Sequence, residues 1–517
     1  MNKTSKSNIK SIKKDSNTIG IVGICGVIGN LVSRIFMDKG FKVIGSDTSS
    51  KKNCRFIDSL KNYNLEIFYE ENSKEFFNKI DFIFLPPSIP KNAEIINTIK
   101  KENIKIINFE DIFKEFTPSK AICITGTNGK TTTTTLLKHL AYSANIKPSE
   151  HNLSGMQGNN EFIPALQARL NGDVSILETG TNGTKKDLEQ MVKLIKPSSG
   201  ILTNITPDHL SKDLNLLDYA KIKGELIEGL KNKQLIVNSD DPTIMGLIKK
   251  LNYTGDLITF GLEEKPSKKG YKPCWCGKDI EINEIISGVG TYSCTCGVKY
   301  EKPMYIGKNI SLEKSTFTIS GPDGDYNIKL SINGLHNVYN AMGAIIAAKE
   351  FLNIPYETIQ KNISSFTGVG GRMENMGKIK DKTIIVDYAH NPAGVETVLR
   401  ELEKIHGDLT VVITVSSESG YEGDINILNN ALNHSKYIVP ASASSRKTAE
   451  EFINKNPKLK DKFILTDIKP EDFKEETLGS TEKNVYEGIK TSLKTPVKTI
   501  IVIGEAAIKF KHIIKDF

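Results

Sequence analysis

"AICITGTNGKTTTTTLLKHLAYSA" (Ala121–Ala144) is the stretch of sequence that decides the fold. Its pattern predicts a buried strand, a glycine turn and a helix. Gly126 and Gly129 allow a tight turn, and Lys130 and Thr131 begin the helix. Unpaired backbone N–H groups and the helix dipole at such a start favour phosphate oxygens. The stretch therefore predicts an ATP-binding loop made of Gly126, Thr127, Asn128, Gly129, Lys130, Thr131 and Thr132.

The loop departs from the common phosphate-binding motif in one position. Ile124 stands where that motif has its first glycine. Lys130 can still pair with the β- and γ-phosphates, and the Thr131 hydroxyl can hold Mg²⁺. The alternative is a simple turn whose threonines cap a helix, but Gly-Lys-Thr after a buried strand favours phosphate binding.

Further buried strands follow at Asp173–Thr179, Ser198–Ile205 and Lys233–Asp240, separated by helical patterns, which predicts an α/β sheet. Glu178 ends the first of these strands, and His209 follows the second. Because ligands bind at the shared edge formed by strand ends, we expect both side chains to be Mg²⁺ ligands near Lys130. Taken singly, each residue would be an ordinary loop residue.

The chain of 517 residues is long enough for three domains. Residues 1–17 form a basic tail expected to be disordered. Residues 18–117 alternate strands and helices around a glycine loop, which predicts a Rossmann-like domain. The central domain is expected at 118–367. A glycine-rich hinge over Gly368–Met376 begins a second Rossmann-like domain at 368–517.

Composition limits the classes of function. The net charge is +8, from 69 Lys and Arg against 61 Asp and Glu, which suits a small polyanionic substrate. No concentrated basic and aromatic stripe indicates nucleic acid. No apolar run reaches the roughly 18 residues of a membrane span. The N-terminus lacks the apolar core of a signal peptide, so we expect a cytoplasmic protein, and a monomer.

Four more stretches of the sequence contain candidates for chemistry. Lys221 and Lys223 lie on a predicted helix, where lysines are usually solvated. Asn337, beside His336 and Asn340, begins a predicted amphipathic helix over Ile332–Leu352 and could read adenine or cap the helix. Arg372 lies in the hinge and could reach a γ-phosphate or form a surface ion pair with Glu374. Asp387 lies at a strand end and could accept hydrogen bonds from ribose hydroxyls or form part of a turn.

"CWCGKDIEINEIISGVGTYSCTCG" contains two Cys-x-Cys-Gly sequences, with seventeen residues between Cys276 and Cys294. Four thiolates and no neighbouring histidine are typical of a closed, structural Zn²⁺ site, although the spacing is one residue tighter than Cys-x-x-Cys. The expected ligands are Cys274, Cys276, Cys294 and Cys296, in a zinc-ribbon insertion over about 270–303. A disulfide staple or a redox role is the alternative. Cys25 and Cys123 are expected to be reduced packing residues.

As a set, the motifs "GTNGKTT", "LETG", "PDHL", "YAKIKGE", "GLHNVYNAMGA", "GRMEN" and "DYAHNP" resemble the Mur ligase family over nearly the whole chain. The resemblance implies a UDP-precursor domain, a central ATPase and a last domain that brings the amino acid. It also implies that a precursor carboxylate is activated by ATP as an acyl phosphate, which an amine then attacks.

The resemblance implies roles for single residues. Thr131 and Glu178 would bind one Mg²⁺ and His209 a second. Lys223 would be carbamylated and support that second ion, which overturns its reading as a solvated lysine. Lys130 and Arg372 would stabilise the transferred phosphoryl group, Asn337 would meet adenine and Asp387 the ribose. In the first domain, the UDP-precursor-binding residues would be Gly23, Gly26, Gly29 and Asp47.

Within the family, the first domain is similar to the muramate–alanine ligase branch. A four-cysteine insertion resembles both lipid II isoglutaminyl synthase and the archaeal pseudomurein peptide ligases, and the presence of the first domain favours the latter. The expected partners are a UDP-linked peptide precursor and a free amino acid. Two rivals remain, an amidating subunit that needs a glutaminase and a zinc-stabilised nucleotide switch without ligase activity. The specificity motif Asp-Asn-Pro-Arg for diaminopimelate does not occur.

Overall fold

The computed structural model describes residues 8–70, 72–90, 92–153, 162–181, 183–207, 214–415, 420–468 and 481–517. The strands in chain order are β1 (Thr18–Val22), β2 (Lys42–Asp47), β3 (Glu66–Tyr69), β4 (Phe82–Phe84), β5 (Lys105–Ile107), β6 (Ala121–Thr125), β7 (Ser175–Glu178), β8 (Ser199–Leu202), β9 (Gln234–Asn238), β10 (Asp256–Leu262), β11 (Lys268–Pro273), β12 (Asp279–Ile286), β13 (Val289–Ser293), β14 (Tyr305–Ser311), β15 (Thr316–Gly321), β16 (Gly324–Lys329), β17 (Glu374–Ile379), β18 (Lys382–Asp387), β19 (Leu409–Ile413), β20 (Tyr437–Pro440) and β21 (Thr499–Ile503).

The α-helices in chain order are α1 (Val27–Asp38), α2 (Lys74–Asn78), α3 (Glu94–Lys101), α4 (Phe109–Glu115), α5 (Lys130–Ser143), α6 (Ile163–Gln167), α7 (Asp187–Ile195), α8 (Leu216–Gly229), α9 (Pro242–Lys250), α10 (Leu335–Glu350), α11 (Tyr356–Ile363), α12 (Pro392–His406), α13 (Gly420–His434), α14 (Ala443–Lys455), α15 (Glu482–Ser492) and α16 (Glu505–Lys509). No helix in the described ranges is long and apolar enough to cross a membrane.

The chain folds into two compact units. The first comprises the chain up to Ile124 together with Ala141–Thr181 and Lys186–Gly200. Its N-terminal sheet has the strand order β3-β2-β1-β4-β5, and all four pairings are parallel. Strands β6 and β7 of the same unit also pair in parallel. Parallel strands joined by helices explain the continuous apolar runs in the sequence, because both faces of such a sheet are covered.

The predicted disordered tail is partly wrong. A 3-10 turn over Asn8–Ser11 begins the described chain, and Ile9 and Ile12 are buried in the same apolar core as Leu31 and Phe36 of α1. The first domain therefore includes residues that the charged composition of the N-terminus concealed.

The second unit contains Thr125–Leu140 and Ile201–Phe517, with a short piece that ends at Lys185. Strands β8, β9, β10 and β14 lie side by side in the order β14-β10-β9-β8, and β15 and β16 extend this mixed sheet as antiparallel strands. A C-terminal sheet has the order β17-β18-β21-β19-β20, in which only β17 runs antiparallel.

A small antiparallel sheet, β11-β12-β13, lies between β10 and β14 in the chain. It is the predicted insertion, although β11 begins at Lys268, two residues before the expected boundary. Its inner side chains Ile280, Ile282 and Tyr292 are buried beside Cys274. This sheet is small, so it has little apolar core of its own.

Candidate active site

The loop between β6 and α5 has the tight geometry that its glycines predict. Gly129 has φ +87°, and a Cβ there would lie 2.1 Å from Oδ1 of Asn340, so only glycine fits. Asn204 fixes the loop by accepting from the Asn128 amide at 3.0 Å and donating to the Asn128 carbonyl at 2.9 Å. Nζ of Lys130 donates to the carbonyls of Gly126 and Thr127, so its cation lies over the loop.

Helix α10 differs from its prediction. Thirteen of its sixteen residues are buried, so the helix is covered on all sides rather than amphipathic. Its first turn presents amides to the phosphate loop: Nδ2 of Asn340 donates to Oδ1 of Asn337, and Nδ2 of Asn337 donates to the Asn333 carbonyl. These bonds hold the two amides in fixed orientations beside Gly129.

The hinge places Arg372 and Asp387 together. The Arg372 guanidinium lies 4.4 Å from the centroid of the Tyr388 ring. Glu374, the alternative ion-pair partner of Arg372, pairs with Nζ of Lys511 at 2.7 Å. The carboxylate of Asp387 accepts from the backbone amides of Met373 and Ala389, each at 2.7 Å. Asp387 thus fastens the hinge to the end of β18.

One pocket of the second unit gathers many of the predicted residues. It is lined by Asn128, Gly129, Thr131, Thr132, Asn337, Arg372 and Asp387 from the predicted set. The other lining residues are Thr203, Asn204, Thr206, Asn238, Ile286, Ser287, Val289, His336, Tyr339, Asn340, Met373, Ala389, Ala393, Gly394, Thr397 and Val398. A phosphate loop at one wall and apolar side chains at another suit a nucleotide with its triphosphate and base.

Burial sets the protonation of two groups in this pocket. Burial, with the cations of Arg400 and Arg372, lowers the pKa of His336 to about 4, so the imidazole is neutral at pH 7. Its Nδ1 is buried and has no hydrogen-bond partner among the residues that the structure describes. Burial raises the pKa of Asp387 despite the opposing effects of Arg372 and two backbone amides. The pocket therefore contains a neutral imidazole beside a carboxyl group that burial makes a weaker acid.

The two predicted lysines on α8 have different surroundings. Lys221 is exposed and pairs with Asp218 at 2.7 Å. Lys223 is only 1% exposed, and its Nζ lies 5.1 Å from the centroid of the Tyr219 ring. Glu178 ends β7 in the first unit with a buried side chain. His209 lies outside the described residues.

Sequence reasoning missed several residues at the end of β9. Asn238 lines the pocket, and Asp240 accepts from the Tyr339 hydroxyl at 2.7 Å and from the Leu262 amide. Burial raises the pKa of Asp240 to about 7. The strand-end rule that selected Glu178 applies equally to "NSDD" after β9, so the signal was present in the sequence.

The glycine loop of the first unit is similarly tight. Gly23 has φ +70°, and a Cβ on Gly29 would lie 2.2 Å from the Gly23 carbonyl oxygen. Gly26 is the N-cap of α1, and Asp47 accepts from the backbone amide of Cys25 at 2.9 Å. The loop and the acid predicted to hold the UDP precursor are thus joined directly to each other.

The prediction that Cys25 is reduced is wrong. Cys25 and Cys54 form a disulfide in the structure. Twenty-nine positions separate them, so nothing local in the sequence pairs the two. Cys123 is a buried residue of β6 and is not disulfide-bonded, as expected.

The four predicted metal ligands form a cluster. The Sγ atoms of Cys274, Cys276, Cys294 and Cys296 all lie within 4.8 Å of one another, with two pairs at 3.7 and 3.6 Å. Zinc–sulfur bonds of about 2.3 Å in a tetrahedron place sulfurs about 3.8 Å apart. The spacing of the sulfurs therefore fits a tetrahedral Zn²⁺ site.

Two matching turns build this cluster. The amides of Cys274 and Gly277 donate to the carbonyls of Lys278 and Cys274, and the Cys294–Val298 turn repeats both bonds. Gly277 and Gly297 have φ +85° and +89°. A backbone amide, that of Val298, lowers the pKa of the Cys296 thiol to about 7, which favours the thiolate that a metal requires.

Comparison with known proteins gives the class. Residues 124–348 match the Mur ligase middle domain, and residues 371–505 match the Mur ligase glutamate ligase domain. The chain is also 34% identical to a pseudomurein peptide ligase type C from Methanothermus fervidus, covering 97% of this chain and 100% of that one, with a TM-score of 0.84. The chain belongs to the Mur ligase family, and so is an ATP-dependent ligase that forms amide bonds.

Particular relatives agree with the sequence resemblance. UDP-N-acetylmuramate–L-alanine ligase of Clostridium acetobutylicum is 27% identical over 394 residues, 75% of this chain and 74% of that protein. The enzyme of that name from Aquifex aeolicus is 25% identical over 472 residues, 90% of this chain and 85% of that protein. The three-domain α/β prediction is confirmed. Mur ligases use ATP and Mg²⁺ and join an amino acid to a nucleotide-linked peptide precursor.

Proposed function

We propose that this chain adds an amino acid to a UDP-linked pseudomurein peptide precursor in the cytoplasm, as a monomer. The observation that supports the proposal is the pocket that combines the phosphate loop at Gly129, the amide of Asn337, and Arg372 of the hinge. The likeness to a pseudomurein peptide ligase type C supports the choice of precursor.

The proposed reaction has two steps, and the negative charges of ATP and the carboxylate explain which residues it needs. The precursor carboxylate attacks the γ-phosphorus of ATP, the bond to the bridging oxygen breaks, and ADP leaves. The amino group then attacks the acyl carbon, loses its proton to solvent, and expels inorganic phosphate. Because ATP and a carboxylate repel each other, Lys130 and Arg372 neutralise the phosphoryl oxygens during transfer.

Mg²⁺, when bound, screens the phosphates and polarises the γ-phosphoryl group. The residues that would hold one ion are Thr131 and Glu178. His209 would hold a second, supported by a carbamate on Lys223. Thr131 lines the pocket and Lys223 is buried, which supports these roles. In the same proposal, Asn337 meets adenine and Asp387 the ribose.

The first domain (18–117) would bind the precursor through Gly23, Gly26, Gly29 and Asp47. The central domain (118–367) would bind ATP, and the last domain (368–517) the amino acid. A structural Zn²⁺ would be held by Cys274, Cys276, Cys294 and Cys296. The sulfur spacing supports that choice of metal.

The test supplies the full chain with ATP, Mg²⁺ and candidate UDP-linked precursors, and screens the twenty amino acids. Phosphate release and the mass of the product are measured. A precursor labelled with ¹⁸O in its carboxylate should transfer one labelled oxygen to the released phosphate. Equal ATP turnover without any acceptor amine would contradict the ligase proposal, and glutamine-dependent amidation with a glutaminase would favour the amidating rival.

A further inference from the structure

The tip of the β12–β13 hairpin belongs to the wall of the nucleotide pocket. Ile286 pairs with Val289 across the hairpin, so Ser287 and Gly288 form a two-residue turn. Gly288 has φ +68°, and its amide donates to Oε1 of Glu284 at 2.9 Å. Ile286, Ser287 and Val289 all line the pocket. An insertion that looks remote in the sequence therefore contributes side chains to the site.

The cysteine cluster lies at the other end of the same small sheet. The register pairs Pro273 with Asp279 next to the cysteines, and Lys268 with Glu284 near the tip. Because each strand residue spans about 3.3 Å, the two ends are roughly 20 Å apart. The metal site thus closes one end of the sheet while the other end faces the pocket.

Glu396 of α12 fastens that tip. Its Oε1 accepts from Nζ of Lys268 at 2.6 Å, and its Oε2 accepts from the Ser287 hydroxyl at 2.9 Å. The side chain of Glu396 is 16% exposed, and Lys268 also lies 3.7 Å from Glu284. An exposed ion pair contributes little, but a largely buried carboxylate with two donors fixes geometry as well as charge.

The same helix contacts the phosphate loop at its start. The amides of Asn391 and Asn128 face each other, with Nδ2 of Asn391 donating to Oδ1 of Asn128 at 3.1 Å. Glu396 lies five positions after Asn391, which is about 7.5 Å along a helix. Thr397 and Val398, on the same stretch of α12, line the pocket. Helix α12 thus spans the pocket from the phosphate loop to the hairpin tip.

We propose that Glu396 is a positioning residue that holds the hairpin tip and α12 together over the nucleotide, so that Ile286 and Val289 contact its base. The base, rather than the phosphates, meets these apolar side chains because the phosphate loop is at the Asn391 end of α12. This inference rests on the proposed ATP pocket, and makes the insertion part of ATP recognition.

The test reverses the charge of Lys268. Lys268→Glu should raise Kd and KM for ATP about three- to tenfold and leave kcat within about twofold, because the tip loses its tie to Glu396. The swapped pair Lys268→Glu with Glu396→Lys should recover most of the loss. Lys269→Glu is the matched control, since Lys269 is exposed on the same strand and binds Glu281 instead.

Three results would overturn the inference: unchanged ATP affinity in Lys268→Glu, an equal loss in Lys269→Glu, or no recovery in the swapped pair. If Lys268→Glu does not fold, Ser287→Ala gives the same comparison, with a smaller rise in KM expected. Failure of the proposed function looks different, because the unaltered chain would then not bind ATP or not require an amine.

Discussion

Gly129 is the residue at which backbone conformation and contact restrict the site most severely. Gly129→Ala places a methyl group in a left-handed conformation and against Asn340, so we expect a loss of about 1–3 kcal/mol in ATP binding. Gly343→Ala is the control, because a Cβ there would meet its neighbours at 3.5 Å or more within α10. Calorimetric titration with ATP measures both, and equal affinities would refute the expectation.

Lys223 is the residue whose removal separates a ligase from a nucleotide switch. Lys223→Ala should lower kcat about 10- to 100-fold while ATP binding persists, because the proposed carbamate supports a metal rather than the nucleotide. Lys221→Ala, on the exposed face of the same helix, should be silent. An indifferent Lys223→Ala would favour the switch. Partial rescue by added short carboxylic acids would support the carbamate.

Asp240 and His336 make opposite contributions to the pH dependence of stability. The raised pKa of Asp240, about 7 against 3.8, removes stability as pH rises through that window. The lowered pKa of His336, about 4 against 6.5, removes stability as pH falls from 6.5 to 4. Relative to the unaltered chain, Asp240→Asn should gain stability from pH 5 to 7, and His336→Gln should lose it.

Urea unfolding at pH 5 and pH 7 measures these free energies of unfolding. The two substitutions should change the difference between the two pH values in opposite directions. Changes of the same sign would show that at least one of the two groups does not titrate as its burial implies. Asn preserves the bond from Tyr339, so Asp240→Asn tests the charge more than the contact.

At the scale of residues, the positions that could be predicted from the sequence are those that depend on local backbone geometry. Gly129, Arg372 and Asp387 follow from turns, a hinge and a strand end, and one pocket contains all three. The Cys25–Cys54 pair could not be predicted, because their proximity depends on how α1 and the chain after β2 pack. Asp240 was predictable in principle, since it follows a strand like Glu178.

The proposed Zn²⁺ makes the insertion the element whose stability we expect to depend most on a metal. The double variant Cys274→Ala with Cys294→Ala should lose bound zinc and several kcal/mol of local stability in β12, because its buried side chains are few. Mass spectrometry counts the metal, and amide hydrogen exchange reports β12. Cys123→Ala should keep its zinc. Full protection of β12 without metal would contradict the structural role.

Helix α10 shows where element-scale prediction failed. Its sequence has polar residues at its start and apolar residues along its length, which suggested one exposed face. In the fold those polar residues point into the pocket or the neighbouring loop, so burial covers Asn337 and Asn340 as well as Ile345. A polar residue facing a ligand site and one facing solvent look the same in a sequence.

At the scale of the whole molecule, the net charge of +8 is opposite in sign to the charges of ATP and of the proposed UDP-linked precursor. We expect the KM values for ATP and for the UDP-linked precursor to rise several-fold as salt increases from about 0.05 to about 0.5 M. The KM for a zwitterionic amino acid should change little. A salt-independent KM for both anions would show that their recognition is confined to buried contacts.

The three-domain organisation was predictable because seven motifs follow one another along the chain in the order that resembles the Mur ligase family. The division into compact units was not predictable from the sequence. It assigns Glu178 to the first unit and the phosphate loop to the second, although both belong to the expected central domain. Motifs record chemistry at strand ends, whereas compactness depends on packing between segments distant in sequence.

The two ends of the cysteine-rich insertion lie almost side by side. Phe260 pairs with Tyr305 and Leu262 with Gly307, so the chain leaves β10 and rejoins at β14 nearly opposite, on strands about 4.8 Å apart. About forty residues intervene. In evolutionary terms the segment is a module that lengthens one connection between two neighbouring parallel strands and adds no strand to the sheet they share.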